Sequence, residues 1–212
     1  MSPKHSDWQA AHGALLLLSF LSLAIVPLGL WVWPFPLLIP LAVYGCVAAA
    51  LGPLRQTIKL PIGRTDGRLV AATAAVSVVS STVLVLYQIL ATPSLEHLDR
   101  YLPLDLLRNM FLTAALFSLL NPVLEEIIFR GVFYQAILAQ WSWPVAVLGS
   151  AVLFGLGHMD GYPPGVTGAV LAGIYGLALG TIRHYSKGLL LPVLAHVTAD
   201  ATIMGIRICW AT

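Results

Sequence analysis

The chain has 212 residues, of which 58% are hydrophobic and only 9% are charged, and its mean hydropathy is +0.87. Soluble domains carry about 25% charged residues, so this composition excludes a soluble globular protein and predicts a polytopic membrane protein. One transmembrane helix takes roughly 20 apolar residues, so the length allows about seven or eight spans and no separate soluble catalytic domain. The formal net charge of +2 gives no reason to expect nucleic acid as a partner.

Apolar segments predict eight helices, at residues 13–33, 35–51, 69–91, 104–120, 122–140, 144–158, 164–183 and 188–208. Proline disfavours a helical conformation in the residue before it, so Pro34, Pro36 and Pro122 are expected helix boundaries. A kinked helix that continues through Pro122 would reduce the number to seven. We therefore predict an all-α fold class, a polytopic transmembrane helical bundle of about seven or eight spans that forms one integral-membrane domain over residues 1–212.

The longest polar loop lies between the second and third predicted spans and carries four basic residues against a single acidic one, Asp66. The positive-inside rule places this loop in the cytoplasm, and the two preceding spans then place the N-terminus, with Lys4, there as well. Eight spans would put Arg183 and Lys187 on the outer side, against the rule, whereas seven would put them inside. The sequence leaves both topologies open.

The segment NPVLEEIIFRG, residues 121–131, places two glutamates and an arginine within apolar sequence. A charge at the centre of a spanning helix costs roughly 2.5–3.5 kcal/mol, so three unpaired charges would cost on the order of 8–10 kcal/mol. Glu126 precedes Arg130 by four residues, which is the favourable order for an ion pair on one helix face. Glu125 lies about 100° around the helix, so we expect Arg130 to neutralise Glu126 and leave Glu125 available.

Two later segments add histidines to this polar set. His158 ends the predicted helix in FGLGHMDG, and LLPVLAHVTADATIMG carries His196 and Asp200 four residues apart. An aspartate one turn from a histidine can accept its N–H and fix its tautomer. Each feature alone has a structural explanation, because histidines often pack in bundles and Glu–Arg pairs often clamp them. Their combination predicts a buried site that contains Glu125, His158, His196 and Asp200.

The other imidazole and indole side chains lie mainly at span ends or in loops. Histidines at these places are expected to be solvated, and tryptophans there are typical of the interfacial aromatic belt. The residues concerned are His5, His12, His97, His184, Trp8, Trp31, Trp33, Trp141 and Trp143.

Three motifs occur in a fixed order along the second half of the chain. They are EEIIFR followed by glycine (E-E-x-x-x-R), FGLGH (F-x-x-x-H) and HVTAD (H-x-x-x-[N/D]). This ordered set resembles the CPBP family of intramembrane proteases, which includes CAAX prenyl endopeptidases and bacteriocin-processing enzymes. The motifs cover roughly residues 120–205 and define a motif-bearing half at about 104–208, whereas the N-terminal spans carry no motif of the family.

The resemblance implies an intramembrane endopeptidase that hydrolyses a peptide bond of a membrane-associated peptide or protein substrate. It implies that Glu125 activates water with help from His158, while Glu126 and Arg130 support Glu125. The protein would lie in the lipid bilayer of a prokaryotic cell (inner) membrane. Prenylated C-termini, bacteriocin-like peptides and C-terminal sorting signals are all substrates of such families, and the sequence does not select among them.

The resemblance also implies that His196 and its partner at position 200 stabilise the oxyanion. Asparagine is common at that last position, where this chain has Asp200. An ionised aspartate only accepts hydrogen bonds, so Asp200 could donate to an oxyanion only if burial kept it protonated. The favoured expectation is that Asp200 orients His196, which alone would donate.

No cofactor is expected, although two alternatives to a metal-free protease stay open. Glu125, His158 and His196 could form a carboxylate–histidine zinc site with an open water position. The chain has no H-E-x-x-H motif, and a zinc-bound Glu125 would leave no obvious general base, because Glu126 is expected to be tied to Arg130. The second alternative is a non-enzymatic membrane protein, such as an immunity factor or a small transporter, because intramembrane ionisable residues also mark ion pathways.

Overall fold

The structure, a computed structural model, describes residues 5–27, 31–57, 59–99, 102 and 109–210. These residues form helices and connecting turns with no strand among them, which confirms the all-α fold class. The helices are α1 (His5–Ser19, continued by a 3-10 segment over Phe20–Ile25), α2 (Phe35–Ala50), α3 (Gly52–Arg55), α4 (Gly67–Ala91), α5 (Glu96–Asp99), α6 (Met110–Leu138), α7 (Trp143–Leu156), α8 (Gly165–Ser186) and α9 (Leu190–Cys209).

Five helices of the described residues are long and apolar enough to cross a membrane: α1 with its 3-10 continuation, α4, α6, α8 and α9. Helices α2 and α7 are apolar but shorter. This set confirms a polytopic helical bundle and gives seven apolar helical segments in the described part of the chain. The first segment begins at His5 and its 3-10 continuation ends at Ile25, whereas the sequence predicted residues 13–33.

The number is seven because α6 continues through the predicted break between the fourth and fifth spans. Its parts are an α-helical Met110–Glu126, a π-helical Ile127–Phe133 and an α-helical Tyr134–Leu138. The predicted helix boundary at Pro122 is therefore wrong, since this proline lies inside the helix. Membrane helices tolerate internal proline because neighbouring helices and local changes of helical geometry satisfy the freed backbone groups. Residues 104–108 of the predicted fourth span lie outside the described residues.

The polar loop before α4 and the turn between α8 and α9 lie at the same end of the bundle. The Arg64 amide donates to the Ser186 carbonyl at 2.8 Å, and the Leu189 amide donates to the Pro61 carbonyl at 2.9 Å. Seven spans bring these two basic segments to one side, as the positive-inside rule requires. The cytoplasmic placement of this end stays a prediction, and Lys4 lies outside the described residues.

Small residues bring α7 and α8 into close contact, in agreement with the glycine-rich sequence of α8. A Cβ atom added at Gly155 would lie 2.6 Å from the Ala169 carbonyl oxygen, and one at Gly176 would lie 3.1 Å from the Ala151 Cα. Close backbone approach of this kind replaces the hydrophobic driving force between helices in lipid. It also places α8 beside the helix end that carries His158.

Gly155→Ala is expected to lower the free energy of unfolding by about 1–3 kcal/mol, because its methyl group would overlap a backbone oxygen of α8. Gly45→Ala in α2 is the matched control, since nothing lies within 4 Å of its Cβ position. The control is expected to be neutral or to stabilise by roughly 0.5–1 kcal/mol. Unfolding of both purified variants in detergent measures the difference, and equal effects would contradict the packing argument.

Candidate active site

The structure brings the predicted site residues from three segments into one cluster. Helix α6 carries the paired glutamates and the arginine, the turn after α7 carries one histidine, and α9 carries the other histidine and the aspartate. The members are Glu125, Glu126, Arg130, His158, His196 and Asp200.

Glu126 and Arg130 form a fully buried ion pair at the centre of this cluster. Both side chains have 0% exposure, and Arg130 Nη1 donates to Glu126 Oε1 at 2.8 Å. Arg130 Nη2 also donates to the Gly176 carbonyl at 3.2 Å, and the guanidinium carbon lies 4.4 Å from the Phe154 ring centroid. Cation–π contact and hydrogen bonds compensate the lost hydration of the guanidinium. The pair therefore ties α6 to both α7 and α8.

Glu126 orients His196, whereas the sequence had suggested Asp200 for this role. Its Nδ1 donates to Glu126 Oε1 at 3.0 Å, while Nε2 lies 3.6 Å from Asp200 Oδ1, too far for a good hydrogen bond. Glu126 is held as a carboxylate by Arg130 and can only accept, so Nδ1 carries the hydrogen. A neutral His196 then presents Nε2 as an acceptor, and only the imidazolium presents an N–H there.

His158 is held in the same tautomer by the helix that precedes it. Its Nδ1 donates to the Phe154 carbonyl at 2.7 Å, and its ring packs on the Phe154 ring with the centroids 4.2 Å apart. A carbonyl oxygen accepts only, so the hydrogen again lies on Nδ1 and leaves Nε2 as an acceptor in the neutral ring. His158 Nε2 lies 3.6 Å from Glu125 Oε2.

Glu125 faces both imidazoles with one carboxylate oxygen. Its Oε2 lies 3.6 Å from His158 Nε2 and 3.7 Å from His196 Nε2, and it is buried without a hydrogen-bond partner. Polar contacts longer than about 3.5 Å are commonly bridged by water. A water molecule bound between this carboxylate oxygen and the two imidazole nitrogens would be placed for general-base activation, and this role stays a prediction.

Sequence reasoning missed two residues that hold the carboxylates. The Asn121 side-chain amide donates to Glu125 Oε1 at 3.1 Å and to Asp200 Oδ2 at 3.0 Å. The Trp33 indole donates to Asn121 Oδ1 at 3.1 Å. Asn121 stands four residues before Glu125, a spacing that places both on one helix face. The helix boundary predicted at Pro122 lies between the two residues, which is why this spacing was not used as a signal. Nothing in the sequence relates Trp33, which was assigned to the interfacial belt, to this site.

Asn121→Leu is expected to lower the free energy of unfolding by about 3 kcal/mol and to slow substrate turnover. The variant removes hydrogen bonds to two carboxylates, each worth about 1.5–3 kcal/mol, and leaves both groups less restrained. Asn109→Ala is the matched control, because this exposed asparagine caps the same helix through the Leu112 amide and does not contact the site. The control is expected to cost about 0.5–2 kcal/mol with unchanged turnover. Unchanged turnover in Asn121→Leu would contradict the role given to its amide.

Several histidines predicted to be solvated are instead hydrogen-bonded within the protein. His12 is 5% exposed, and its Nδ1 shares a hydrogen bond of 2.9 Å with the Tyr44 hydroxyl. His97 and His184 also contact protein acceptors or donors. The expectation was wrong because neighbouring helices supply partners, as Tyr44 of α2 does for His12. His184 bonds to Tyr134 of α6 and stacks on Trp143 of α7. The side chain of His5 lies outside the described residues.

Two cavities meet at the cluster. The first, of about 340 Å³, lies between α4, α7, α8 and α9 and has almost entirely apolar walls. The second, of about 230 Å³, lies between the start of α2, α6, α9 and the turn after α7, and it is lined by Asn121 and Glu125 among others. Both cavities are lined by His158 and Asp200. The site is therefore reached from an apolar side and from a more polar side.

Within the ranges that the structure describes, no group of three or more His, Cys, Asp and Glu side chains has an arrangement that could hold a metal ion. The metal dependence of the site stays a prediction.

The fold and this cluster define a class: a polytopic helical membrane protein with a glutamate whose buried Oε2 faces two histidines. Residues 107–202 match the family model of the type II CAAX prenyl endopeptidase Rce1-like proteins. This match covers less than half of the chain and is consistent with the CPBP family, so the resemblance inferred from the three motifs is confirmed. The matched segment contains every predicted site residue, and the matched family is described as one of prenyl endopeptidases.

A protein of Escherichia coli with the name "Uncharacterized 24.3 kDa protein" is similar to the chain. The two are 31% identical over 134 residues, which make up 62% of this chain and 60% of the relative. The chain thus spans about 60% of the length of the curated relative that it matches. No solved structure matches the chain.

Proposed function

We propose that the protein is an intramembrane endopeptidase that uses Glu125 to activate water without a metal. The observation that carries this proposal is the position of Glu125 Oε2, which is buried without a partner and lies 3.6 and 3.7 Å from two imidazole nitrogens. A carboxylate is an effective general base when it is in reach of the proton that it abstracts. The match to a family of prenyl endopeptidases supports peptide-bond hydrolysis as the reaction.

The reaction begins with a water molecule held between Glu125 Oε2 and the Nε2 of His158. Glu125 takes one proton from this water, and the remaining hydroxide forms a bond to the carbonyl carbon of the scissile peptide. The carbonyl oxygen becomes an oxyanion in a tetrahedral intermediate. The intermediate collapses by breaking the carbon–nitrogen bond, and Glu125 returns its proton to the leaving amine.

The charges of the cluster support a protonated imidazole beside the oxyanion. Three carboxyl groups, on Glu125, Glu126 and Asp200, surround one guanidinium, on Arg130, so a proton on His196 offsets the excess of negative charge. The imidazolium then presents an Nε2–H group to the oxyanion. Donors that are fixed in place before the reaction stabilise such charge strongly in a site that excludes water. Asp200 accepts a hydrogen bond from Asn121 and adds negative charge to the cluster. In this proposal Asp200 therefore does not donate a hydrogen bond to the oxyanion.

We propose a membrane-associated CAAX-type peptide or protein as the substrate class, cleaved near its C-terminal end. The apolar first cavity suits a hydrophobic part of such a substrate, and the second cavity suits water and the polar product. The proposed setting is a prokaryotic cell membrane with the N-terminus in the cytoplasm.

The test uses the purified full-length chain in proteoliposomes with a synthetic farnesylated peptide that ends in a CAAX sequence. Mass spectrometry is expected to detect the released C-terminal tripeptide, and prior chelation of divalent metals is expected to leave the rate unchanged. Absence of cleavage would reject the proposed CAAX-type activity and favour a non-enzymatic role. Activity that is lost on chelation and restored by zinc alone would reject the metal-free mechanism.

A further inference from the structure

We propose that the Tyr175 hydroxyl is a further catalytic group, which donates a hydrogen bond to the oxyanion of the tetrahedral intermediate. This inference rests on the proposed endopeptidase function and names a residue outside the three family motifs. Tyr175 lies on α8, and its ring lines the first cavity together with those of His158 and His196. Its ring meets the His196 ring edge to face, with the centroids 5.9 Å apart.

The hydroxyl of Tyr175 is buried and makes no hydrogen bond of good geometry, although the Ser80 side chain lies close enough to interact with it. Among the described residues, four buried side-chain polar atoms share this condition: Glu125 Oε2, Glu126 Oε2, Arg130 Nε and the Tyr175 hydroxyl. Three of the four belong to Glu125, Glu126 and Arg130 of the cluster, and the fourth is the Tyr175 hydroxyl. A buried hydroxyl without a well-formed hydrogen bond costs about 1–3 kcal/mol, which favours a hydrogen bond formed only when another group enters the site.

The backbone of α8 at this point is fixed relative to the cluster. The carbonyl of Gly176, the next residue, accepts from Arg130 Nη2 at 3.2 Å. A Cβ atom at Gly176 would lie only 3.1 Å from the Ala151 Cα, so α8 cannot shift toward α7 at this level. Tyr175 is therefore carried by a rigid element that is bonded to the cluster itself.

The other side-chain donors on the cavity walls, apart from the two imidazoles, are already committed to protein acceptors. They bond as follows: Trp33 to Asn121, Asn121 to Glu125 and Asp200, Tyr162 to Gln88, and Ser80 to the Ser77 carbonyl. The imidazoles present an acceptor at Nε2 unless they are protonated. Of the described side chains on these walls, Tyr175 therefore offers the least engaged neutral donor, with only a weak contact to Ser80.

A phenol hydroxyl could also supply the hydrogen-bond donor that the aspartate at position 200 lacks. Asp200 accepts a hydrogen bond from Asn121 at 3.0 Å and, when ionised, has no hydrogen to donate. The amide donor that asparagine would supply at this place is therefore missing from α9. Tyr175 lines the same cavity as Asp200 and supplies a donor from the facing helix.

Tyr175→Phe is the experiment that tests this inference, because it removes the hydroxyl and keeps the ring. The farnesylated CAAX peptide assay is run on the full-length wild type, Glu125→Gln, Tyr175→Phe and Tyr44→Phe in proteoliposomes. Tyr175→Phe is expected to lower kcat by about 100-fold with KM within about twofold, as for the loss of one oxyanion donor. Its Tm is expected to change little, because the hydroxyl makes no well-formed hydrogen bond that the variant would lose. Tyr44→Phe, whose hydroxyl bonds to His12, is expected to lower Tm and leave kcat within about twofold.

Each other outcome overturns the inference, and the set of variants shows whether the proposed function fails with it. If the wild type cleaves the peptide, Glu125→Gln does not, and Tyr175→Phe keeps the wild-type kcat, the inference fails and the proposed function stands. A Tyr175→Phe variant with raised KM alone, or with kcat and Tm lowered together, shows a binding or structural role and also overturns it. A wild type that does not cleave the peptide overturns the proposed function and this inference together.

Discussion

Glu125→Gln is expected to abolish peptide cleavage while the protein still accumulates in the membrane. An amide cannot take a proton from water, and loss of a positioned general base typically costs about 10²–10⁴ in rate. The substitution keeps the size of the side chain, and its amide oxygen can still accept from the Asn121 amide, as Glu125 Oε1 does at 3.1 Å. The buried Glu126–Arg130 pair is not altered, so folding is expected to be retained.

Release of the C-terminal tripeptide and membrane yield are measured side by side for this variant. Glu96→Gln in α5 is the matched control, since it makes the same chemical change at an exposed position away from the cluster. The control is expected to match the wild type in both measurements. Cleavage by Glu125→Gln at more than about a tenth of the wild-type rate would show that another group activates the water.

Arg130→Met is expected to lower the free energy of unfolding by about 3–5 kcal/mol, because it leaves the Glu126 carboxylate buried without its cation. Arg130 and Glu126 are both 0% exposed, so water cannot replace the lost contact. The same change also frees the Gly176 carbonyl and removes the contact of the guanidinium with Phe154. The expected result is a low yield of protein in the membrane and a strongly reduced Tm.

The double variant Glu126→Gln/Arg130→Met separates charge from packing. Removing both charges is expected to recover part of the lost stability, because a neutral amide costs less to bury than an unpaired carboxylate. Arg55→Met, at an exposed position, is the control for loss of an arginine in general and is expected to be near neutral. A double variant less stable than Arg130→Met alone would contradict the charge argument.

Much of the site could be predicted because helical spacing is a local property. The order and four-residue separation of Glu126 and Arg130 predicted an ion pair, and the structure has one at 2.8 Å. Apolar segments and the ordered motifs likewise predicted a helical bundle and the set of residues that meet in it. The catalytic roles of these residues stay predictions until cleavage is measured.

The remaining features depend on contacts between distant segments, which spacing alone does not encode. Trp33 and Asn121 are 88 positions apart, and only the packed bundle brings the indole to the amide. The orienting partner of His196 was assigned to Asp200 from its position on the same helix, whereas Glu126 reaches Nδ1 from α6 at 3.0 Å. The break predicted at Pro122 failed for a related reason, because neighbouring helices support a backbone that would not stay helical alone.

The hydrogen bond from Trp33 has a consequence for the half of the chain without family motifs. Trp33 lies just before α2, a helix of 16 residues whose length of about 24 Å is less than the roughly 30 Å of a typical hydrocarbon layer. A helix this short responds to membrane thickness by changing its depth or drawing the lipid around it. Any such displacement is passed through the indole to Asn121 and from there to the Glu125 and Asp200 carboxylates. The lipid composition of the membrane is therefore expected to influence the positions of these two carboxylates.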